Sequence, residues 1–129
     1  MATISTEKIK QEIAGGRKRL VGLHLHGIDL HGYDLSNVDL SWAILTRADL
    51  RDTILVNAKL DDAYLESADL RGADLTGASL TETDLTSARL TDTNFTNADL
   101  GGAKVEDEQL TEVKSLKGAR LPDGTLVPP

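Results

Sequence analysis

Leucine returns every five residues along this chain. It stands at 25, 30, 35, 40, 45, 50, 55, 60, 65, 70, 75, 80, 85, 90 and 100, with Phe95 filling the gap and Val105 continuing the register. No ordinary element accommodates that period. On an α-helix, five steps of about 100° carry each Leu to a new side, so no apolar stripe forms. On a straight strand the side-chain period is two, so Leu25 and Leu30 would face opposite ways. The conflict disappears if the backbone turns a corner inside every five-residue unit and keeps each Leu pointing to a common axis.

The flanking positions fit a turning chain. Two residues before each centre, from 43 to 103, stands Ala ten times and Thr three times (Thr53, Thr83 and Thr93). Two residues along an extended segment share a face, so these small side chains point inward beside the Leu. The residue between them is often Asp and faces solvent. Two residues after each centre come Gly27, Gly32, Gly72, Gly77 and Gly102, with Asn37, Asn57 and Asn97. Gly and Asn tolerate the positive φ of a type II turn. Trp42, Arg47 and Glu82 fall at the same position, which predicts a different turn type at those corners.

The first four inner positions are large: Leu23, Ile28, Tyr33 and Val38. A block of four matches one terminal coil of a four-sided solenoid, where bulky side chains plug the open end. Ala48-Asp49-Leu50-Arg51-Asp52 and Ala68-Asp69-Leu70-Arg71-Gly72 resemble the A(D/N)LXX motif of the pentapeptide repeat family. The resemblance covers about residues 23–105. It implies an all-β solenoid, a right-handed quadrilateral β-helix with about 20 residues per coil and hence about four coils.

Both ends of such a column expose unpaired edges and need caps. Residues 1–22 are expected to form an N-terminal capping helix and linker. The helix spans about 6–14, with Ser5 as N-cap, Ile4 and Ile9 as a hydrophobic staple, and Gly15-Gly16 as the stop. Residues 106–129 are expected to form a C-terminal capping helix and turn. Glu106-Asp107-Glu108 would open that helix, Leu110, Val113 and Leu116 would share its face, and Leu121-Pro122-Asp123-Gly124-Thr125 would turn. The stretch from Gln109 to Thr125 resembles the C-terminal segment of many cyanobacterial pentapeptide repeat proteins, which points to a cyanobacterial source.

Composition narrows the functional classes. The 129 residues include no Cys, which excludes disulfides, thiolate metal sites and thiol nucleophiles. There is no apolar run long enough to span a membrane and no hydrophobic signal core, so a cytoplasmic setting is expected. Acyl-transfer motifs, phosphate loops and H-E-x-x-H are absent, and a filled apolar interior offers no pocket. The chain therefore reads as a non-enzyme without catalytic residues, cofactor or metal. His24, His26, His31 and Asp29 are metal-ligating types, but they lie at the capped end and are read as solvated surface.

The remaining candidates lie on the outside of the column. With the register fixed modulo 20, Asp29, Asp49, Asp69 and Arg89 stack beside His31, Arg51, Arg71 and Thr91. Ile44 and Tyr64 replace the usual Asp and stack one coil apart, with Trp42 at the adjoining corner. Ile54 and Val56 do the same on the opposite side. Exposed aromatic and aliphatic clusters mark contacts; the competing reading of these positions is local packing, because single exposed apolar residues are normal. Trp42, Ile44 and Tyr64 are thus the leading interaction patch, with Ile54, Val56, Asp49, Asp69, Arg51 and Arg71 secondary. The expected role is a scaffold or protein–protein interaction module, acting as a monomer or weak homodimer. The alternative is a DNA mimic that binds a topoisomerase such as gyrase, by analogy with longer family members. Residues 23–105 carry 14 acids against 6 bases, a net charge of −8. That sign opposes direct nucleic-acid binding.

Overall fold

The computed structural model describes residues 5–129. Ile4, and with it the expected staple, lies outside the described residues. Helix α1 (Thr6–Ala14) begins where Ser5 accepts a hydrogen bond from the Lys8 backbone N–H, and its C-cap is Gly15. Gly16 follows with φ +100°. Ile9 and Ile13 lie on one face of α1, are buried, and join the core of the coils.

From Arg19 onward the chain winds in 20-residue coils. Short parallel bridges join each coil to the next in four columns. Face one stacks His24, Ile44, Tyr64, Asp84 and Lys104; face two stacks Asp29, Asp49, Asp69 and Arg89. Face three stacks Asp34, Ile54, Asp74, Asn94 and Ser115; face four stacks Arg19, Asp39, Lys59, Ser79, Asp99 and Arg120. The ladder is a parallel one: the Leu25 N–H donates to Ile44 O at 2.7 Å, and the Ile44 N–H to Leu23 O at 2.9 Å.

Within each unit the N–H of the inner Ala or Thr donates to the preceding Leu carbonyl, as Ala48 does to Leu45 at 2.9 Å. This closes the corner. The residue just before the donor has positive φ at every unit from Gly22 to Gly102, including Trp42, Arg47 and Glu82. The expectation of a second turn type at those three is therefore corrected. Their corner N–H groups also donate to the next coil (Trp42 to Asp61 O at 3.0 Å, Arg47 to Glu66 O at 3.0 Å). Stacking imposes one backbone geometry on whatever side chain arrives there.

The interior is a set of leucine columns lined with Ala. Leu30 through Leu85, Phe95 and Leu100 are essentially inaccessible at every fifth position. Buried Thr53, Thr83 and Thr93 satisfy their hydroxyls on the carbonyls of Leu50, Leu60 and Leu70, so they add no orphaned polar group. At the first end, Ile28 and Val38 are buried, while Leu23 and Tyr33 are half-buried against the same core.

The stack extends beyond both expected boundaries. It begins before 23, because Arg19 bridges to Asp39 and Leu20 is fully buried. It resumes after 105, because Ser115 bridges to Asn94 and Arg120 to Asp99. Those last steps span 21 residues, so one extra residue has been absorbed. Helix α2 (Asp107–Leu110) absorbs it, and it is a single turn. The longer helix expected to carry Leu110, Val113 and Leu116 on one face does not form; the three pack half-buried against the core by separate routes. Forming the ladder through Ser115 and burying Ala119 outweighs two further helical turns, which are marginal in so short a segment.

Gln109 makes the short helix possible. Its side-chain Nε2 donates to the carbonyls of Leu85 and Ala88, both at 2.9 Å, and its Oε1 accepts from the Glu106 N–H at 2.7 Å. It thus takes the place of a following coil at the edge of the stack. Beyond it the chain folds back at the expected Leu121–Thr125 turn. Leu126 bridges antiparallel to Arg120, and the Val127 N–H donates to Ala119 O at 2.8 Å. This return covers another part of the open edge.

Candidate functional site

The outward side chains are positioned by a stiff ladder, so their spacing follows from the coil repeat. On face one, Ile44 and Tyr64 are bridged neighbours. Adjacent parallel strands lie about 4.8 Å apart, which places the two side chains in contact range. Trp42 stands at the corner leading into that face with φ +65°. It is 56% exposed and Tyr64 is 41% exposed, whereas Ile44 is half-buried. The structure thus brings the three predicted patch residues onto one edge of one face. Asp62 occupies the Trp42 corner one coil on, and Asp84 follows Tyr64 in its column, so the patch has an acidic rim on that side.

Ile54 lies on face three, opposite, between Asp34 and Asp74, and is 41% exposed. Val56 beside it is half-buried. This pair lies on a different face from the Trp42 edge.

Face two is a charge ladder in which the shortest pairs run along the chain rather than across coils. Arg51 binds Asp49 in a bidentate fork, with Nε to Oδ1 at 2.9 Å and Nη2 to Oδ2 at 2.8 Å. Arg71 grips Asp69 in the same way at 2.8 and 2.6 Å. The cross-coil contacts are looser: Arg51 and Arg89 lie 4.0 and 3.9 Å from Asp69. The fork forms within the Asp-Leu-Arg unit because residues two apart on an extended segment share a face. Hydrogen bonds from the Arg51 side chain hold the Asp49 carboxyl down to about 2, against an ordinary 3.8. Arg71 likewise lowers Asp69.

At the first rung of this face the Arg is replaced by His31, whose Nδ1 lies 2.8 Å from Asp29 Oδ1. The hydrogen bond lowers Asp29. Asp49 stands one coil on, and ligand atoms from Asp29, His31 and Asp49 all lie within 4.8 Å of one another. His24 and His26 are not part of this group. The sequence separates His31 from Asp49 by 18 positions, and only the modulo-20 register signals their proximity. Among the described residues, no helix is long and apolar enough to cross a membrane.

A family model described as pentapeptide repeats matches in eight copies over residues 34–72 and 68–107. No curated protein matches the chain. Among solved structures, the chain is similar to Rfr23, a pentapeptide repeat protein from the cyanobacterium Cyanothece 51142. Identity is 26% and the TM-score 0.64, over 94% of this chain and 99% of that one. It is 33% identical to HetL, a pentapeptide repeat protein involved in heterocyst differentiation regulation from the cyanobacterium Nostoc sp. strain PCC 7120. That match covers 80% of this chain with a TM-score of 0.47, and this chain spans only 45% of HetL. A third, alr5209 from Nostoc PCC 7120, is 26% identical over 88% of this chain and 97% of its own, with a TM-score of 0.48.

Proposed function

The chain belongs to the pentapeptide repeat family, and from that premise we propose that it is a non-catalytic protein–protein interaction module whose contact surface is built on Trp42, Ile44 and Tyr64. Trp42 carries the reading. It occupies a left-handed corner that costs a non-glycine residue roughly 1–2 kcal/mol, and it leaves 56% of its surface in solvent. Neither turn chemistry nor burial accounts for a Trp there, whereas an exposed aromatic anchor beside Ile44 and Tyr64 suits a partner's apolar pocket. The acidic rim at Asp62 and Asp84 favours a partner whose own rim is basic. The module acts as a monomer or weak homodimer, and its stack is the right-handed quadrilateral β-helix of the family.

The gyrase-directed DNA mimic is the weaker reading. Mimicry requires open rows of negative charge. Asp49 and Asp69 are each closed by a bidentate Arg, and Arg89 replaces the acid at the next rung. Inhibition of gyrase supercoiling by the purified chain would reverse this preference.

The test is a pair of variants. Trp42→Gly suits the corner geometry and removes the anchor. Ile44→Asp with Tyr64→Asp restores the repeat motif and adds charges that are costly to bury. Both are expected to keep the circular dichroism spectrum while losing capture of the partner from native host extract. Undiminished capture by both folded variants would retire this surface and pass the role to Ile54 and Val56, or to the Asp49, Arg51, Asp69 and Arg71 ladder.

A further inference from the structure

The geometry points to a divalent metal site on face two, formed by Asp29, His31 and Asp49 and suited to an ion of the zinc class. Face two repeats one unit down the stack. In the second and third rungs an Asp is followed two residues later by an Arg that grips it. In the first rung the grip comes from His31 instead. An Arg has no lone pair to give, whereas a neutral imidazole is a metal ligand. That substitution turns one end of a charge ladder into a ligand set with two carboxylates and one imidazole.

The distances fit. The three ligand atoms lie within 4.8 Å of one another, and the Asp29–His31 pair is already at 2.8 Å. Zinc holds nitrogen and oxygen ligands at roughly 2.0–2.2 Å in tetrahedral array, about 3.4 Å from one another, so the Asp29–His31 pair must give up its shared proton and open slightly while the longer separations close. Side-chain rotation suffices, because Asp29 and His31 are exposed and Asp49 is half-buried. The backbone beneath is fixed by the Asp49 N–H to Ile28 O at 2.8 Å and the Leu30 N–H to Asp49 O at 2.9 Å.

Arg51 does not block the site. It holds both Asp49 oxygens, so releasing one to the metal leaves the other hydrogen-bonded, as ligating carboxylates commonly are. Its Nε also lies 4.0 Å from Asp69 Oδ2, a charge attraction beyond hydrogen-bond distance. Asp29 and Asp49 bring two negative charges to a divalent ion, the second of them shared with the Arg51 guanidinium. One imidazole among them selects the borderline metals over Mg2+ and Ca2+, which take oxygen ligands. Three protein ligands leave a position for water or an external donor, and the ion would tie the first coil to the second.

Calorimetric titration of Zn2+ into the full chain, with Mg2+ in parallel, tests the assignment. One Zn2+ per chain is expected, with Mg2+ much weaker. His31→Gln and Asp49→Asn should each weaken Zn2+ binding by about tenfold or more, with circular dichroism confirming that both variants fold. The His24→Gln/His26→Gln double variant should bind as the parent does. The assignment falls if Zn2+ does not bind. It falls equally if the affinity survives His31→Gln, or if it is lost in the His24/His26 variant instead.

Discussion

Leu70→Ala tests the column at its centre. Leu70 is fully buried, with Leu50 and Leu90 in the same position one coil to either side, and Leu65 and Leu75 before and after it in the chain. Removing three carbon groups at about 0.8 kcal/mol each forfeits roughly 2.4 kcal/mol of transfer free energy. A cavity term adds to this where the walls cannot close in. Here they are held apart by the ladder: the Leu50 N–H donates to Asp69 O at 2.8 Å, and the Leu70 N–H to Arg89 O at 2.9 Å. Collapse onto the void would stretch those bonds, so the loss should fall near 4 kcal/mol, in the upper half of the roughly 2–5 kcal/mol range for Leu→Ala. Urea unfolding followed by circular dichroism measures it. Leu126→Ala, at a position 62% exposed, should change stability by less than about 0.5 kcal/mol. A loss at Leu70 below about 1 kcal/mol, or one equal to that at Leu126, would refute the reasoning.

Gln109→Leu should destabilise the chain by about 1–3 kcal/mol in the same assay, because the Leu85 and Ala88 carbonyls lose their side-chain donor; a neutral result would show that water replaces the amide. The low Asp49 value makes the folded state acid-sensitive. A carboxyl depressed from 3.8 to about 2 adds stability that is complete above its unfolded value and is lost as pH falls toward the folded one. Because its Arg51 partner is 45% exposed, the contribution should stay below about 1 kcal/mol; Asp49→Asn should flatten the Tm–pH curve between about 4 and 2, and an unchanged slope would contradict the fork. Inserting one residue after Asn57 should abolish cooperative unfolding by turning every later Leu out of the column, whereas a five-residue unit inserted there should be milder; unaltered melting in both would sink the solenoid.

The coil was legible in the sequence because its determinants are local. A Leu every fifth residue, a small partner two before it and Gly or Asn two after it leave one way to bury the apolar set, and the same register placed Ile44 beside Tyr64 and Asp29 above Asp49. The α1 cap and the Leu121–Thr125 turn were legible for the same reason: the Ser5 hydroxyl caps an N–H three residues on, and Gly16 and Gly124 act through their own positive φ. What the sequence left open depends on contacts 20 residues away. Trp42, Arg47 and Glu82 take the same positive φ as Gly because hydrogen bonds to the next coil leave that corner no alternative. The apolar spacing of Leu110, Val113 and Leu116 reads as a helix until Ser115 and Arg120 find Asn94 and Asp99, and the ladder wins over helical turns. The length of the stack and the role of Gln109 at its edge were likewise decided in the tertiary structure. Each depends on which edge groups still lack a partner after the coils have closed, and short-range propensity does not encode that.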